Sequence, residues 1–181
     1  QVAFEVYVFP TKHKELLIMA IPAYLWLKDD GGADIKGSVD VRGREGSIEI
    51  VGLTHDVSIP NDNNTGKPTG TRIHAPFTFD KEIDSSTPYI YKAICTGQTL
   101  KSAEIKYYRI NDAGQEVEYF NTFLENVKVI GIIPMMHDIK SAYGEKRSHI
   151  EYVELRYEKI TWKYLDGNTQ YSDSWDERTT A

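Results

Sequence analysis

Residues 81–97, KEIDSSTPYIYKAICTG, are the one part of this 181-residue chain that asks clearly for a helix, and the sequence on both sides reads as strands. Thr87 is placed to N-cap, Pro88 suits the first helical position, and Gly97 can close the C-terminus in the left-handed conformation. Tyr91, Ile94 and Cys95 mark an apolar face. A helix of about three turns is marginal alone. It is therefore expected to lay that face on a sheet and set how two blocks of strands meet.

The length and the even composition point to one domain with a core of its own. Tyr 12, Phe 6 and Trp 3 make the chain aromatic-rich, which suits pleated, half-buried faces. The net charge is −6 and the cations are interspersed with carboxylates, so a nucleic-acid partner is not expected. No apolar run reaches the roughly 20 residues of a membrane-spanning helix, so membrane insertion is not expected. The single cysteine, Cys95, cannot form an internal disulfide and reads as a small core residue.

Residues 1–18 read as an upstream leader or extra sequence, because Met19 opens MAIPAYLWL in the manner of a start. The segment lacks the features of a secretory signal. Its alternating Phe4, Val6 and Val8 also fit an additional strand. Residues 19–181 are expected to form the single domain. Residues 23–27 read as a short strand. Ile48 and Ile50 share one parity and Val51, Leu53, Val57 and Ile59 the other, so a bulge is expected near Val51. His55 falls on the apolar parity and reads as a hydrogen-bonded buried histidine.

Residues 60–72, PNDNNTGKPTGTR, form a polar loop of a length that is usually functional or disordered. Gly66-Lys67 is not a phosphate loop, because Pro68 occupies the Ser/Thr position and no earlier glycine has the required spacing. Ile73, Ala75, Phe77 and Phe79 alternate as a strand, and Pro76 assigns it to an edge or a bulge. After the helix, residues 103–109 and 116–133 flank Asn111-Asp112-Ala113-Gly114, a hairpin turn. The second arm is apolar on both parities, which implies burial on two sides. Met135 and Met136 read as gap fillers in a second loop, residues 134–148. The last long strand, residues 149–165, changes parity near Glu158-Lys159, where a bulge or bend would let it serve two sheets in a closed packing. Residues 166–181 read as a polar tail with Trp175 as its anchor.

No catalytic or cofactor motif is legible: GxSxG, HExxH, CxxC and GxGxxG are absent, and His13, His55, His74, His137 and His149 are scattered without ligand spacing. His55-Asp56 and the carboxylates Glu151, Glu154 and Glu158 are the candidates for acid–base work, but alternating charges on a strand more commonly make a solvated face. No catalytic, cofactor-binding or metal-binding residue is assigned. A binding or assembly protein is the better reading.

The order of elements is similar to one known family. EIDSSTPYIYKAICTGQ, the preceding IEIVGLTHDVSIP and TRIHAPFTF, the hairpin EIKYYRINDAGQEVEYFNTFLENVKV and the closing HIEYVELRYEKITWKY resemble the haemolysin-coregulated protein (Hcp) family of bacterial type VI secretion. The likeness runs from Met19 to the end. It implies a mainly β fold, an Hcp-like β-barrel of two antiparallel sheets with one short flanking α-helix. It implies six copies closing into a ring and rings stacking into an inner tube that a contractile sheath expels. Partners would be further copies of the chain, the spike protein, sheath and baseplate components and small effectors in the lumen. The protein would be cytoplasmic before firing and then secreted without a signal peptide. The loop residues Asn61, Asp62, Asn63, Asn64, Thr65, Gly66, Lys67, Pro68, Thr69 and Gly70 would be an assembly element reaching a neighbouring subunit or the next ring. The rival classes are a monomeric β-barrel module binding protein cargo or carbohydrate and, more distantly, a small hydrolase.

Overall fold

The computed structural model describes residue 21 and residues 23–175; the expected leader, residues 1–18, lies outside the described residues. The elements in order are β1 (Ala23–Lys28), β2 (Asp34–Ile35), β3 (Ile48–Ile50), β4 (Gly52–Thr54), β5 (Val57–Ser58), β6 (Ile73–His74), β7 (Phe77–Glu82), α1 (Thr87–Thr96), β8 (Thr99–Ile110), β9 (Glu116–Met135), β10 (Ile150–Arg156), β11 (Lys159–Tyr164) and β12 (Thr169–Ser174). Among the described residues the fold is mainly β, with one ten-stranded antiparallel sheet, a two-stranded sheet of β5 and β6, and one flanking helix.

The large sheet runs β2-β1-β8-β9-β10-β7-β4, and β3 also pairs with β1. Because β3 and β4 are joined through Val51, the wall that begins at β1 returns to it, closing the sheet into a barrel. The expected bulge at Val51 is instead a change of partner: Ile50 pairs with Ala23, Leu53 pairs with Phe79, and the Val51 amide donates to the Asp80 carbonyl at 2.9 Å. Val51 is turned outward at this corner, and Val57 and Ile59 are exposed rather than inward-facing.

Strict alternation builds the core rows. Phe77 and Phe79 point inward from β7, and Val153 and Leu155 from β10. The turn between β8 and β9 forms as its sequence requires: the Asn111 side-chain oxygen accepts the Ala113 and Gln115 amides, and Gly114 takes φ 74°. Strand β9 is long enough to serve two partners besides β8. Residues 120–125 pair with β11 and residues 128–135 with β10. The expected bend near Glu158 is present as the break between β10 and β11. Pro76 falls in the gap between β6 and β7; β7 itself is flanked by β10 and by the short β4.

The helix differs from expectation in its rotation and its cap. Ser86, not Thr87, occupies the N-cap, and the Thr87 hydroxyl is drawn inward. The buried face is Thr87, Ile90 and Ala93; Ile94 is half-buried against the core, Tyr91 is partly exposed and Cys95 is exposed. Holding Thr87 against the barrel fixes the helix rotation, so the apolar stripe begins one position earlier than the pattern of large residues implies. Gly97 does close the helix, with φ 66°, and the Gln98 amide returns to the Ala93 carbonyl at 3.0 Å.

Two further expectations change. Met135 and Met136 are exposed and fill no gap. The polar tail contains β12, which pairs with β11 across Trp162 and Tyr171 and buries Asp173 and Ser174 at its end.

Candidate assembly surface

The loop of residues 60–72 is the tip of an arm. Its base is the β5–β6 ladder, in which Val57 pairs with His74 and Ser58 with Ile73. Beyond it the Asp62 amide donates to the Lys67 carbonyl at 2.9 Å and the Thr69 amide to the Pro60 carbonyl at 2.8 Å, with an isolated bridge between Asn61 and Pro68. At the tip the Asp62 carboxylate accepts the Asn64 and Thr65 amides, which hold its carboxyl below the ordinary range. The arm thus satisfies its own backbone. From Asn61 to Gly70 every residue is exposed except the partly exposed Asp62. On its stem Val57, Ile59 and Ile73 are exposed as well, by 40%, 57% and 50%.

A second exposed apolar group lies at the other end of β7. The arm leaves at Ala75-Pro76, just before Phe77, whereas Glu82 at the far end pairs with Ile150, which pairs with Met135. In the segment around Met135, Ile133, Met136, Ile139 and Tyr143 are exposed as well. Five residues of strand separate the two ends by about 16 Å. The barrel therefore carries unlike apolar surfaces at opposite ends of one strand, the kind of surface that marks an interaction site.

Two polar clusters hold this frame. At the helix end, Lys81 and Glu151 are direct cross-strand partners, both fully buried, with Nζ to Oε1 at 2.6 Å. The same ammonium reaches the Glu82 carbonyl at 2.8 Å and Asp84 at 2.9 Å, while the Thr87 hydroxyl donates to Glu151 at 2.8 Å. Burial acts to raise the Asp84 carboxyl, but hydrogen bonds from Ser86 and from Lys81 outweigh it and hold it below the ordinary range. Reading Glu151 as part of a solvated face is thus corrected. It sits on the inward parity of Val153 and Leu155, as Lys81 sits on that of Phe77 and Phe79, and this parity was the available signal.

At the arm's base, Arg72 pairs with Asp173 and donates to the Ser174 carbonyl at 2.8 Å. His74 Nε2 lies 2.8 Å from Asp173, His74 Nδ1 lies 2.7 Å from the Tyr157 hydroxyl, and that hydroxyl lies 2.6 Å from His55 Nε2. Burial acts to raise the Asp173 carboxyl, but Arg72 and His74 outweigh it and hold it low. Burial pushes the Tyr157 hydroxyl well above its ordinary range, Arg156 opposing. His55 is hydrogen-bonded as expected but only half-buried, at the rim of a hollow of about 500 Å³ walled by Phe77, Tyr107, Phe120 and Trp162. His74 lies 83 residues from Tyr157 and 99 from Asp173 in sequence, and no motif joins them. Among the described residues no group of three or more His, Cys, Asp or Glu is placed to hold a metal ion.

This barrel, with its arm and single flanking helix, matches a known family over residues 24–164, described as "Type VI secretion system effector, Hcp". The chain belongs to the Hcp family. It is 33% identical over 166 residues to the "Major exported protein" of Pseudomonas aeruginosa, covering 87% of this chain and 96% of that one. The solved structure of the Hcp1 protein from the E. coli EAEC 042 pathovar, as a mutant form, is 70% identical and superposes with a TM-score of 0.78 over 86% of this chain and 99% of the other. The secreted protein Hcp3 from Pseudomonas aeruginosa is 28% identical, with a TM-score of 0.71 over 86% of this chain and 99% of that one. As an Hcp protein the chain is a type VI secretion protein and not an enzyme.

Proposed function

We propose that this Hcp protein is the subunit of a type VI inner tube, in which six copies close into a ring, rings stack, and a contractile sheath drives the stack outward. The observation that carries this reading is the arm of residues 57–74, which exposes apolar side chains on a self-sufficient stem while unlike apolar groups lie at the other end of β7. Ring closure and stacking both need heterologous contacts, in which different patches of identical subunits meet. An arm at one end and the Met135 group at the other supply two such patches. Small effectors would travel in the lumen, and the spike, sheath and baseplate would be further partners. The protein would wait in the cytoplasm and leave without a signal peptide.

Replacing residues 61–70 by a short Gly-Ser turn tests the arm directly. The protomer should keep its far-UV spectrum and its cooperative unfolding, because the deleted residues bond only among themselves and to Pro60. Light scattering and negative-stain imaging should show weakened rings or lost stacks. Rings, stacks and secretion at the wild-type level would reduce the loop to a connector. A wild-type protein that is monomeric at all concentrations would favour the rival binding module, for which the hollow beside Trp162 is the natural ligand site.

A further inference from the structure

Tyr157 has one hydroxyl proton and two imidazole neighbours, and counting protons along this chain of groups limits what it can hold. His74 Nε2 faces the Asp173 carboxylate at 2.8 Å and must carry hydrogen to bond it. If His74 is neutral, its Nδ1 is bare and accepts the Tyr157 hydroxyl, and His55 Nε2–H donates to the same oxygen. If His74 is charged, its Nδ1–H donates to the Tyr157 oxygen, and the hydroxyl donates to a bare, neutral His55 Nε2. Either way every group is paired. With both rings charged, two N–H donors converge on one oxygen, whose own proton is left without an acceptor, and two cations face each other with ring centroids 6.2 Å apart. The chain accommodates no more than one imidazolium.

Among the described residues the remaining charges do not relieve that limit. Arg72, beside His74, is engaged with Asp173, and Arg156 of β10 donates to the His74 carbonyl at 2.8 Å, so two cations already flank the buried ring. Among the described residues Asp173 is the carboxylate bonded to His74, and it is shared with Arg72. Next to His55 stands Asp56, and the other walls, Phe77 of β7 and Trp162 of β11, are uncharged. Burial lowers the His55 pKa first and the charge of His74 lowers it further, with Asp56 opposing.

We propose that His55, Tyr157, His74 and Asp173 form a proton-operated latch that holds the base of the arm to β12 and to the β10–β11 joint, and that a second proton opens it at the His55 end. His55 is the member able to leave, since it is half-exposed and lines the open hollow, whereas His74 is fully enclosed. Closed, the chain disfavours a second imidazolium; open, the His55 ring regains its ordinary affinity for protons. The closed state is therefore favoured above the ordinary imidazole value and lost as pH falls below it, by up to about tenfold in the closed-to-open ratio for each pH unit in that window. The latch deepens the assembly reading of the arm, on which its physiological use rests.

Amide hydrogen exchange on the full chain tests it, following the arm-base peptides that contain Val57, His74 and the Ala75 amide, which donates to the Asp56 carbonyl at 2.9 Å. The β8–β9 hairpin serves as reference. From about pH 7.5 to about pH 5.5, arm-base protection in the wild type should fall by about tenfold relative to the hairpin, after correction for intrinsic rates. His55→Gln keeps a group that can donate to or accept from Tyr157 without titrating, and should hold its protection within about twofold over the same range. Tyr157→Phe removes the bridge and should give low, pH-independent protection. A His55→Gln protein that loses protection as the wild type does, or a wild type whose arm and hairpin change together, overturns the latch. Particle size measured alongside separates the two readings: an arm that opens while rings and stacks persist leaves the latch standing and counts against the arm's role in assembly.

Discussion

The helix end and the arm base both bury charge beside the barrel wall, and they do so with opposite materials. At the helix end, Lys81 and Glu151 are direct partners in a ladder of six consecutive pairs, enclosed on all sides, with Thr87 and Asp84 completing the ammonium's shell. At the arm base, two imidazoles, a phenol, a guanidinium and a carboxylate are gathered from two distant stretches, residues 55–74 and 157–173, with one member at the rim of a hollow. Lys81 and Glu151 are each other's direct partner in a buried pair, so removing either leaves an uncompensated ion. Imidazoles change charge near neutral pH, so the second cluster can alter its own bonding without any mutation. A closed ion pair suits a joint that must keep one geometry. A titratable chain suits one that must move.

The largest effect should come from breaking the closed cluster. Glu151→Ala leaves the Lys81 ammonium buried without its main partner and is expected to cost about 3–5 kcal/mol, whereas replacing both residues by Met and Leu should cost far less or nothing. Urea unfolding at one fixed protein concentration measures both, since assembly adds its own stability. A single substitution costing under about 1 kcal/mol would mean that water reaches the pair and that the two clusters are alike.

The helix packed over that cluster sharpens the comparison next. Ile90→Ala opens a hole in the core and should cost about 2–5 kcal/mol, while Cys95→Ser on the exposed side should fall within about 0.5 kcal/mol. Equal costs from the two would place the helix in the rotation that its large side chains imply and not the one set by Thr87.

Acid titration should separate the clusters by the smallest margin. Asp84 and Asp173 both have folded carboxyls below the ordinary value, so the stability they contribute is present above about pH 4 and is lost as pH falls through their folded values. Asp173→Asn should flatten the part of that loss belonging to the arm base, read as a smaller drop in unfolding midpoint between neutral and acid pH. An unchanged slope would remove Asp173 from the acid response.

What the sequence by itself determined is what nearest neighbours decide. Period-two rows such as Phe77/Phe79 and Val153/Leu155, the Asn111 to Gly114 turn and the Gly97 stop depend on bonds within a few residues, so strand, hairpin and helix were all readable, as was the family resemblance that their order carries. Lys81 and Glu151 also fall in step with those rows, a signal that the reading of Glu151 as part of a solvated face passed over. Other features waited for the tertiary structure. Thr87 turned inward because Glu151, 64 residues away, offered an acceptor, and that contact moved the buried stripe of the helix onto Ile90 and Ala93. Strand β12 carries no apolar alternation and exists because β11 presents an unpaired edge. His74 and Asp173 became partners only when β6 and β12 were brought together, since desolvation and hydrogen bonding act through space and leave no trace in sequence spacing.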